Sequence, residues 1–223
     1  MTDAAATDLA KSHLASSHLA SSDLVTTLEQ LGVLYGEAVP TSILKELPTI
    51  TDPYRRYIEA APFVAIATAG PEGLDCSPRG DPAPLARVLD ERTVAIPDRR
   101  GNNRIDTLRN IVRDPRVALL FLIPGINETI RINGRATLTR DVALRQSFAM
   151  GDKVPATVIV VTVDSIYYQC PKALVRSKLW DPSSHVDPAT LPSKGQIIQS
   201  IDASVDGAAL DAAYPERLRR TIY

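Results

Sequence analysis

The sequence contains few cysteines and histidines. Both residue types often bind metals, and cysteines also stabilise small domains by forming disulfides. It contains two cysteines, Cys76 and Cys170, among 223 residues, which are too few for a disulfide framework. Its three histidines are His13, His18 and His185, and the first two have no third potential ligand nearby. We therefore expect neither a fold stabilised by disulfide bonds nor a bound metal.

Long hydrophobic runs and an excess of charge are also missing. No apolar run approaches the roughly 20 residues that a membrane-spanning helix needs. The first residues are polar and acidic, unlike the basic and then apolar start of a signal peptide. A formal net charge of −1 argues against general binding of nucleic acid. We expect a cytoplasmic protein that binds neither membranes nor nucleic acid.

The motifs of several common enzyme classes are absent from the sequence. There is no Gly-x-Gly-x-x-Gly after the first expected strand, no Walker loop and no Gly-x-Ser-x-Gly elbow. No histidine lies between residues 41 and 182, so a histidine general base is not expected there. If this chain catalyses a reaction, a cofactor is expected to supply the chemistry.

The chain divides by composition into three parts. Residues 1–26 are rich in Ala, Ser, Thr and Leu, and a five-residue repeat places Leu14, Leu19 and Leu24 at a spacing that fits neither a helix nor a strand. We predict an N-terminal arm over residues 1–40, partly disordered or helical. Residues 41–182 are expected to form the main domain. Residues 183–223 are expected to be an extension that packs on it and that ends in a helical stretch with Leu210, Tyr214 and Leu218.

The main domain is predicted to be mainly β with α additions. An amphipathic helix is expected from Asp52 to Ala61, and a second from Asn103 to Arg113, with Asn103 as its N-cap. The expected strands are 63–68, 74–77, two within 87–96, 117–123, 129–139 and 157–168. These β-branched runs with short turns predict a closed or nearly closed barrel. The run Val117–Ile123 lacks polar alternation, which predicts burial on both faces and hence a homodimer.

Two segments of the expected barrel are richer in charged and polar side chains than a barrel strand or turn ordinarily is. In the first, Arg79 stands at a strand end beside Gly80, which would let a ligand approach the backbone closely. In the second, residues 97–104, Arg104 immediately follows Asn103 at the predicted helix start, and Arg99 or Arg100 could add further donors. A helix start offers free N–H groups and partial positive charge, so it suits a phosphate. Each segment alone would also fit a solvated loop.

A third cluster follows the last expected strand, over residues 167–180. Lys172, Arg176 and Ser177 fall on one face of a predicted helix, and Trp180, the only tryptophan, comes next. This pattern fits either a basic surface helix with a packing tryptophan or part of a binding site.

The order of these features resembles the pyridoxamine 5′-phosphate oxidase-related, FMN-binding split-barrel family, from about Phe63 to Trp180. The resemblance is carried by Ser77-Pro-Arg79, Thr93–Pro97, Asn110-Ile-Val-Arg-Asp-Pro115 and Gly134-Arg-Ala136. The segments Gly101–Arg104 and Cys170–Trp180 resemble those of an uncharacterised FMN-dependent branch. The resemblance implies an FMN-binding split β-barrel, a homodimer, and a flavin at the dimer interface that both chains contact.

The resemblance also implies roles for particular residues. The FMN phosphate would be held at the start of the predicted helix, and the ring would lie against strand backbone. Thr107 stands where many relatives have a lysine, and Thr129 where they have a polar contact. The expected cofactor-binding residues are Ser77, Pro78, Arg79, Ile96, Pro97, Asn103, Arg104, Thr107 and Thr129. The expected substrate-binding residues are Lys172, Arg176 and Trp180, and no catalytic residue is assigned.

The function predicted in this way is that of an FMN-dependent oxidoreductase acting on a small anionic organic substrate. Two alternatives stay open at this point, a deazaflavin-dependent reductase and a non-catalytic flavin-binding protein. A haem-degrading role is disfavoured, because the barrel has no histidine to ligate the iron.

Overall fold

The computed structural model describes residues 23–101 and 104–223, and the chain divides into two compact units after Leu44. The described part of the first unit contains two short helices, α1 (Leu28–Tyr35) and α2 (Pro40–Leu44). A capping box starts α1, because the Thr27 hydroxyl accepts from the Gln30 amide and the Gln30 side chain accepts from the Thr27 amide. Most of the five-residue repeat, with His13 and His18, lies outside the described residues.

The second unit contains a sheet and six α-helices among its described residues. The strands are β1 (Phe63–Gly70), β2 (Gly73–Gly80), β3 (Arg87–Asp90), β4 (Thr93–Asp98), β5 (Arg116–Leu122), β6 (Thr129–Thr139) and β7 (Thr157–Gln169). The helices are α3 (Asp52–Ala60), α4 (Asp106–Arg113), α5 (Val142–Ser147), α6 (Lys172–Ser177), α7 (Lys194–Ile201) and α8 (Gly207–Thr221). The prediction of a mainly β domain with added helices is therefore confirmed.

All strand pairs of the sheet are antiparallel, in the order β2-β1-β5-β6-β7-β4-β3. β2 and β3 are its two edges and do not pair with each other, so of the two expected forms, a closed or a nearly closed barrel, the closed one is wrong. Nevertheless β2 and β4, first and sixth in the order, are linked by an ion pair between Arg79 and Asp98. The sheet must therefore curl strongly, which fits a split barrel.

The core lies inside this curl and is built by alternate residues of the strands. β5 shows the pattern: Val117, Leu119 and Phe121 are buried, whereas Leu120 and Leu122 on the other face are only half-buried. Within one chain, therefore, the predicted burial of this strand on both faces is not found. The outer face is left as an apolar surface.

Helix α4 packs on β1 and begins later than its sequence predicts. Ile105 precedes its first residue, Asp106, with a left-handed backbone (φ 52°) and caps it without a side-chain hydrogen bond. Arg104 is not helical, so the predicted start at Asn103 is wrong, and Asn103 itself lies outside the described residues. Thr107 and Asn110 are buried against the sheet.

Only some of the remaining helices were predicted from the sequence. α6 lies where the spacing of Lys172, Arg176 and Ser177 predicts a helix, and α8 lies where the C-terminal apolar spacing predicts one, whereas α5 and α7 were not predicted. Among the described residues, no helix combines the length and the apolar composition that crossing a membrane requires.

Candidate cofactor-binding site

The ends of β2 and β4 enclose a cavity of about 380 Å³. This volume falls within the roughly 300–1,000 Å³ that small-molecule sites occupy. Four of the expected cofactor-binding residues line it together: Ser77, Pro78, Arg79 and Pro97. The rest of the lining is Gly80, Leu85, Arg99, Arg100, Gly101 and Ile222. The tertiary structure thus joins two segments that lie about 20 residues apart in the sequence.

The pairing of β4 explains why a proline is tolerated here. β3 pairs with β4 only as far as Ala95, so the end of β4 has a partner, β7, on one side alone. Proline has no N–H to donate, and such an edge position costs it little. Pro97 is buried and offers its ring as an apolar wall of the cavity.

Arg79 is the most unusual side chain of the cavity, because it is charged and only 8% exposed. Its Nη1 donates to the carbonyl oxygen of Pro78 at 2.9 Å. Its Nε and Nη2 have no hydrogen-bond partner among the described residues. Buried guanidinium donors are ordinarily satisfied, so Arg79 has the chemistry to bind a ligand with acceptor oxygens.

Two carboxylates accompany the arginines at this end of the strands. Asp98 Oδ1 lies 3.7 Å from Arg79 Nη2, and Asp81 Oδ2 accepts from Arg99 Nε at 2.6 Å. Burial raises the pKa of Asp98, and the nearby charge of Arg79 offsets this only in part. Asp81 Oδ1 and Asp98 Oδ1 lack hydrogen-bond partners among the described residues. The two arginines and the two carboxylates balance in charge, but several of their donor and acceptor atoms have no hydrogen-bond partner among the described residues.

Asp75 anchors α4 to β2 and was not singled out by its sequence. It accepts hydrogen bonds from Thr107 Oγ1 at 2.7 Å and from Ser77 Oγ at 3.1 and 3.2 Å. Thr107 is fully buried, so its hydroxyl fastens the helix and does not line the cavity. The Ser77 hydroxyl, in contrast, belongs to a residue that does line it.

Arg104 lies apart from the Arg79 cavity. Its side chain is 86% exposed and its Nε donates to Asp106 at 2.6 Å, which raises the pKa of Arg104. It lines a neighbouring cavity of about 330 Å³, together with Asp75, Asp106, Arg109 and Arg113. Two carboxylates therefore stand near this helix start, where the sequence predicts the FMN phosphate.

Ile96 and Thr129 are placed differently from the cavity-lining residues. Ile96 is fully buried in β4, opposite Ile159 of β7. Thr129 is buried at the start of β6, opposite Gln169. Neither residue lines the Arg79 cavity within a single chain.

The predicted substrate-binding residues lie on and beyond α6. Lys172 and Arg176 are exposed and form no ion pair with any residue that the structure describes. Trp180 Nε1 donates to the carbonyl oxygen of Ile126 at 2.8 Å, which ties this segment to the loop between β5 and β6. Trp180 thus has a structural role, while the two cations are left unpaired.

Besides Asp75, four contributors to the site were not identified from the sequence: Asp81, Leu85, Asp98 and Ile222. Asp81 and Asp98 do have a weak signal, since each stands close to an arginine, in Arg79-Gly-Asp81 and in Asp98-Arg99. Ile222 has none, because it reaches the cavity from the end of α8, more than 120 residues away in the sequence.

A curled antiparallel sheet with a buried, unsatisfied arginine at its open seam defines a split-barrel protein with a small-molecule cavity. The family model of pyridoxamine 5′-phosphate oxidase matches residues 50–170 of the chain. The chain belongs to this family. No curated protein gives a significant match to its sequence.

Solved structures give partial matches over about half of the chain. HupZ from Group A Streptococcus is 20% identical over 53% of this chain and 93% of its own, with a TM-score of 0.43. A proposed pyridoxamine 5′-phosphate oxidase from Lactobacillus delbrueckii is 19% identical over 55% of this chain and 98% of its own, with a TM-score of 0.45. An F420 reductase is 15% identical over 54% and 98%, with a TM-score of 0.39.

Proposed function

We propose that this protein binds FMN in the Arg79 cavity and uses it to oxidise or reduce a small anionic organic substrate. The observation that carries the proposal is Arg79 itself, a buried cation with two donor nitrogens unsatisfied among the described residues, in a cavity of small-molecule size. Membership of the pyridoxamine 5′-phosphate oxidase family supports a flavin as the ligand.

The residues of the cavity fit FMN in their chemistry. Arg79 would donate to acceptor oxygens, and the Ser77 hydroxyl, whose proton goes to Asp75, would accept from an N–H of the ligand. Pro78, Leu85, Pro97 and Ile222 would cover a flat ring system. Bound FMN would supply a ring that takes up and returns a hydride. These side chains would keep water away from it, which strengthens each polar contact because the local dielectric constant falls.

Two arginines are candidates for the FMN phosphate. Arg79 is already inside the cavity, and its free donors match a phosphate oxygen in kind. Arg104, with Asn103, is the sequence-based choice, and it would have to give up its contact with Asp106 first. The affinities of single variants separate the two.

The anionic substrate is assigned to Lys172 and Arg176. They stand one helical turn apart in α6, so their charges repel unless an anion lies between them. Trp180, held by Ile126, would shape the same surface. Because these residues do not line the Arg79 cavity of their own chain, we propose that a partner chain brings them to the flavin.

The sheet offers a surface for that partner. Pro78 of β2 lies opposite Ala65 of β1, and Ala65 lies opposite Leu120 of β5. All three are on the outer, apolar face, so this face runs directly into the cavity wall at Pro78. We propose that two copies of the chain pair through it, which places each flavin next to the dimer interface.

Titration of the purified full chain with FMN and with riboflavin tests the proposal. We expect FMN to bind at least about a hundredfold more tightly, because two charge-assisted hydrogen bonds contribute roughly 1.5–3 kcal/mol each. Equal affinities, or a co-purifying deazaflavin seen by absorbance, would overturn it. Reduction of the bound FMN by NAD(P)H in stopped flow would separate an oxidoreductase from a passive flavin carrier.

A further inference from the structure

A second and larger cleft, of about 860 Å³, lies beside the Arg79 cavity. Three separate parts of the second unit form its walls: the loop after β4, the loop before β7 and the last turns of α8. Arg99, Arg100 and Gly101 line both the cleft and the Arg79 cavity. The two spaces therefore adjoin each other at this loop.

Cations dominate the cleft. They are Arg99, Arg100, Lys153, Arg217 and Arg220, against the carboxylates of Asp98 and Asp152. Arg99 pairs with Asp81, and Lys153 pairs with Asp152. Arg100, Arg217 and Arg220 form no ion pair with any residue in the described part of the chain. Three unneutralised guanidinium groups thus converge on one concave surface.

We propose that this cleft binds the phosphate groups of a second ligand, distinct from the flavin. Guanidinium groups match phosphate in charge and in planar, paired donor geometry. Three of them on a concave surface suit a multiply charged anion better than a single carboxylate. Because the cleft adjoins the Arg79 cavity, its ligand is a phosphate-bearing substrate or electron donor, and this last step alone rests on the proposed function.

The preference of helix C-termini for basic residues does not by itself account for the cations of the cleft. Basic residues in the last turn of a helix are favourable there without any ligand, since the helix dipole is negative at that end. Arg219 and Arg220 both satisfy this preference, yet Arg219 points away to pair with Glu216 at 2.6 Å and does not line the cleft. Arg100 and Lys153 come from loops, to which the preference of a helix end does not apply.

Calorimetric titration of the full-length chain with inorganic pyrophosphate, at constant ionic strength, tests the site. The variant R217Q/R220Q should bind pyrophosphate at least tenfold more weakly than the unchanged chain. R219Q is the matched control, because it removes a cation from the same helical turn outside the cleft, and it should bind within twofold. Equal losses in both variants would show only a general charge effect and would overturn the proposal.

A second titration, on protein saturated with FMN, distinguishes the source of the phosphate. Pyrophosphate should still bind within about twofold of its affinity for the flavin-free chain, and FMN affinity should be unchanged in R217Q/R220Q. If FMN and pyrophosphate compete and the variant loses FMN affinity, the cleft holds the flavin's own phosphate and the proposal fails. If the chain binds no FMN at all, the first titration still decides the anion site.

Discussion

The guanidinium of Arg79 lies 3.7 Å from the carboxylate of Asp98, and this contact connects the first strand of the sheet to the sixth. Both side chains are largely buried, at 8% and 14% exposure, and neither Arg79 Nη2 nor Asp98 Oδ1 is hydrogen-bonded to a described residue. A loose buried pair of this kind leaves its polar groups incompletely satisfied, which is costly unless a ligand or water completes them.

Asp98→Asn should change how stability depends on pH. Burial raises the pKa of Asp98 above 3.8, so the folded chain holds this proton more tightly than the unfolded chain. The stability that the carboxyl group contributes is therefore present below that value and is lost as pH rises through the raised pKa. Asn stays neutral, so the unfolding free energy of the variant minus that of the wild type should rise with pH.

Denaturant unfolding at a series of pH values from about 3.5 upward measures this difference. Asp164→Asn, which changes an exposed carboxylate of β7, is the control and should show no such rise. A difference that falls as pH rises would mean that the attraction of Arg79 outweighs burial and lowers the pKa of Asp98.

Arg79→Lys should weaken FMN binding by at least tenfold, since one charge-assisted hydrogen bond contributes roughly 1.5–3 kcal/mol and about 1.4 kcal/mol is a tenfold change. Lysine keeps a positive charge opposite Asp98, so the chain should still fold. Quenching of FMN fluorescence gives the affinity. Arg113→Ala is the control, because Arg113 ends α4 and pairs with Glu72.

The same titration examines the sequence-based choice of Arg104. If the phosphate lies at the start of α4, Arg104→Ala should lose roughly 10- to 100-fold in FMN affinity, at about 1.4 kcal/mol per tenfold. An affinity equal to that of Arg113→Ala, together with a loss in Arg79→Lys, would place the phosphate in the Arg79 cavity.

Gly70→Ala should destabilise the fold by about 1–3 kcal/mol, the usual cost of overpacking. A methyl group at Gly70 would come within 2.1 Å of Asn110 Oδ1. Asn110 cannot retreat freely, because its Nδ2 donates to Thr68 at 3.1 Å within the core. Thermal unfolding measures the loss, and Gly80→Ala, whose nearest neighbour would be 3.6 Å away, should unfold close to the wild type.

The chain should be a dimer in solution, and Leu120→Asp should dissociate it. Leu120 is half-buried on the outer face of β5, where a carboxylate cannot be accommodated between two apolar surfaces. Light scattering should then give a mass near 24.2 kDa for the variant and twice that for the wild type. Val112→Asp, at a position 76% exposed on α4, should leave the dimer intact. A wild-type monomer at micromolar concentration would contradict the prediction.

Arg176→Ala should leave FMN affinity within a few-fold and should selectively weaken turnover with an anionic substrate. The structure gives Arg176 no ion pair with Asp181, Glu128 or any other described residue, so its loss should cost little thermal stability. Steady-state kinetics with anionic and neutral substrates of the flavin measure the effect. Lower thermal stability without a substrate-specific defect would instead assign Arg176 to fastening α6.

Much of the local structure was predictable because it depends on short-range patterns. Apolar alternation indicates the strands, and the spacing of Leu210, Tyr214 and Leu218 indicates α8. The start of α4 was not predictable, because its first turn is set by Ile105 in a left-handed backbone that residue type does not favour. Burial of Thr107 was also missed, since it depends on Asp75 from another element.

By itself, the sequence determined the class of fold and singled out as cofactor-binding four of the ten residues that line the Arg79 cavity, because strand period and the polar segments around Arg79 and Pro97 are local properties. Only the tertiary structure decided that β2 meets β4, since that contact depends on how far the whole sheet curls. The same curl brings Arg79 to Asp98 and leaves Arg104 in a separate cavity. It also lets Ile222, from the far end of the chain, complete the wall. A period of two residues fixes which face of a strand is buried, but it carries no information about which distant strand edges come together.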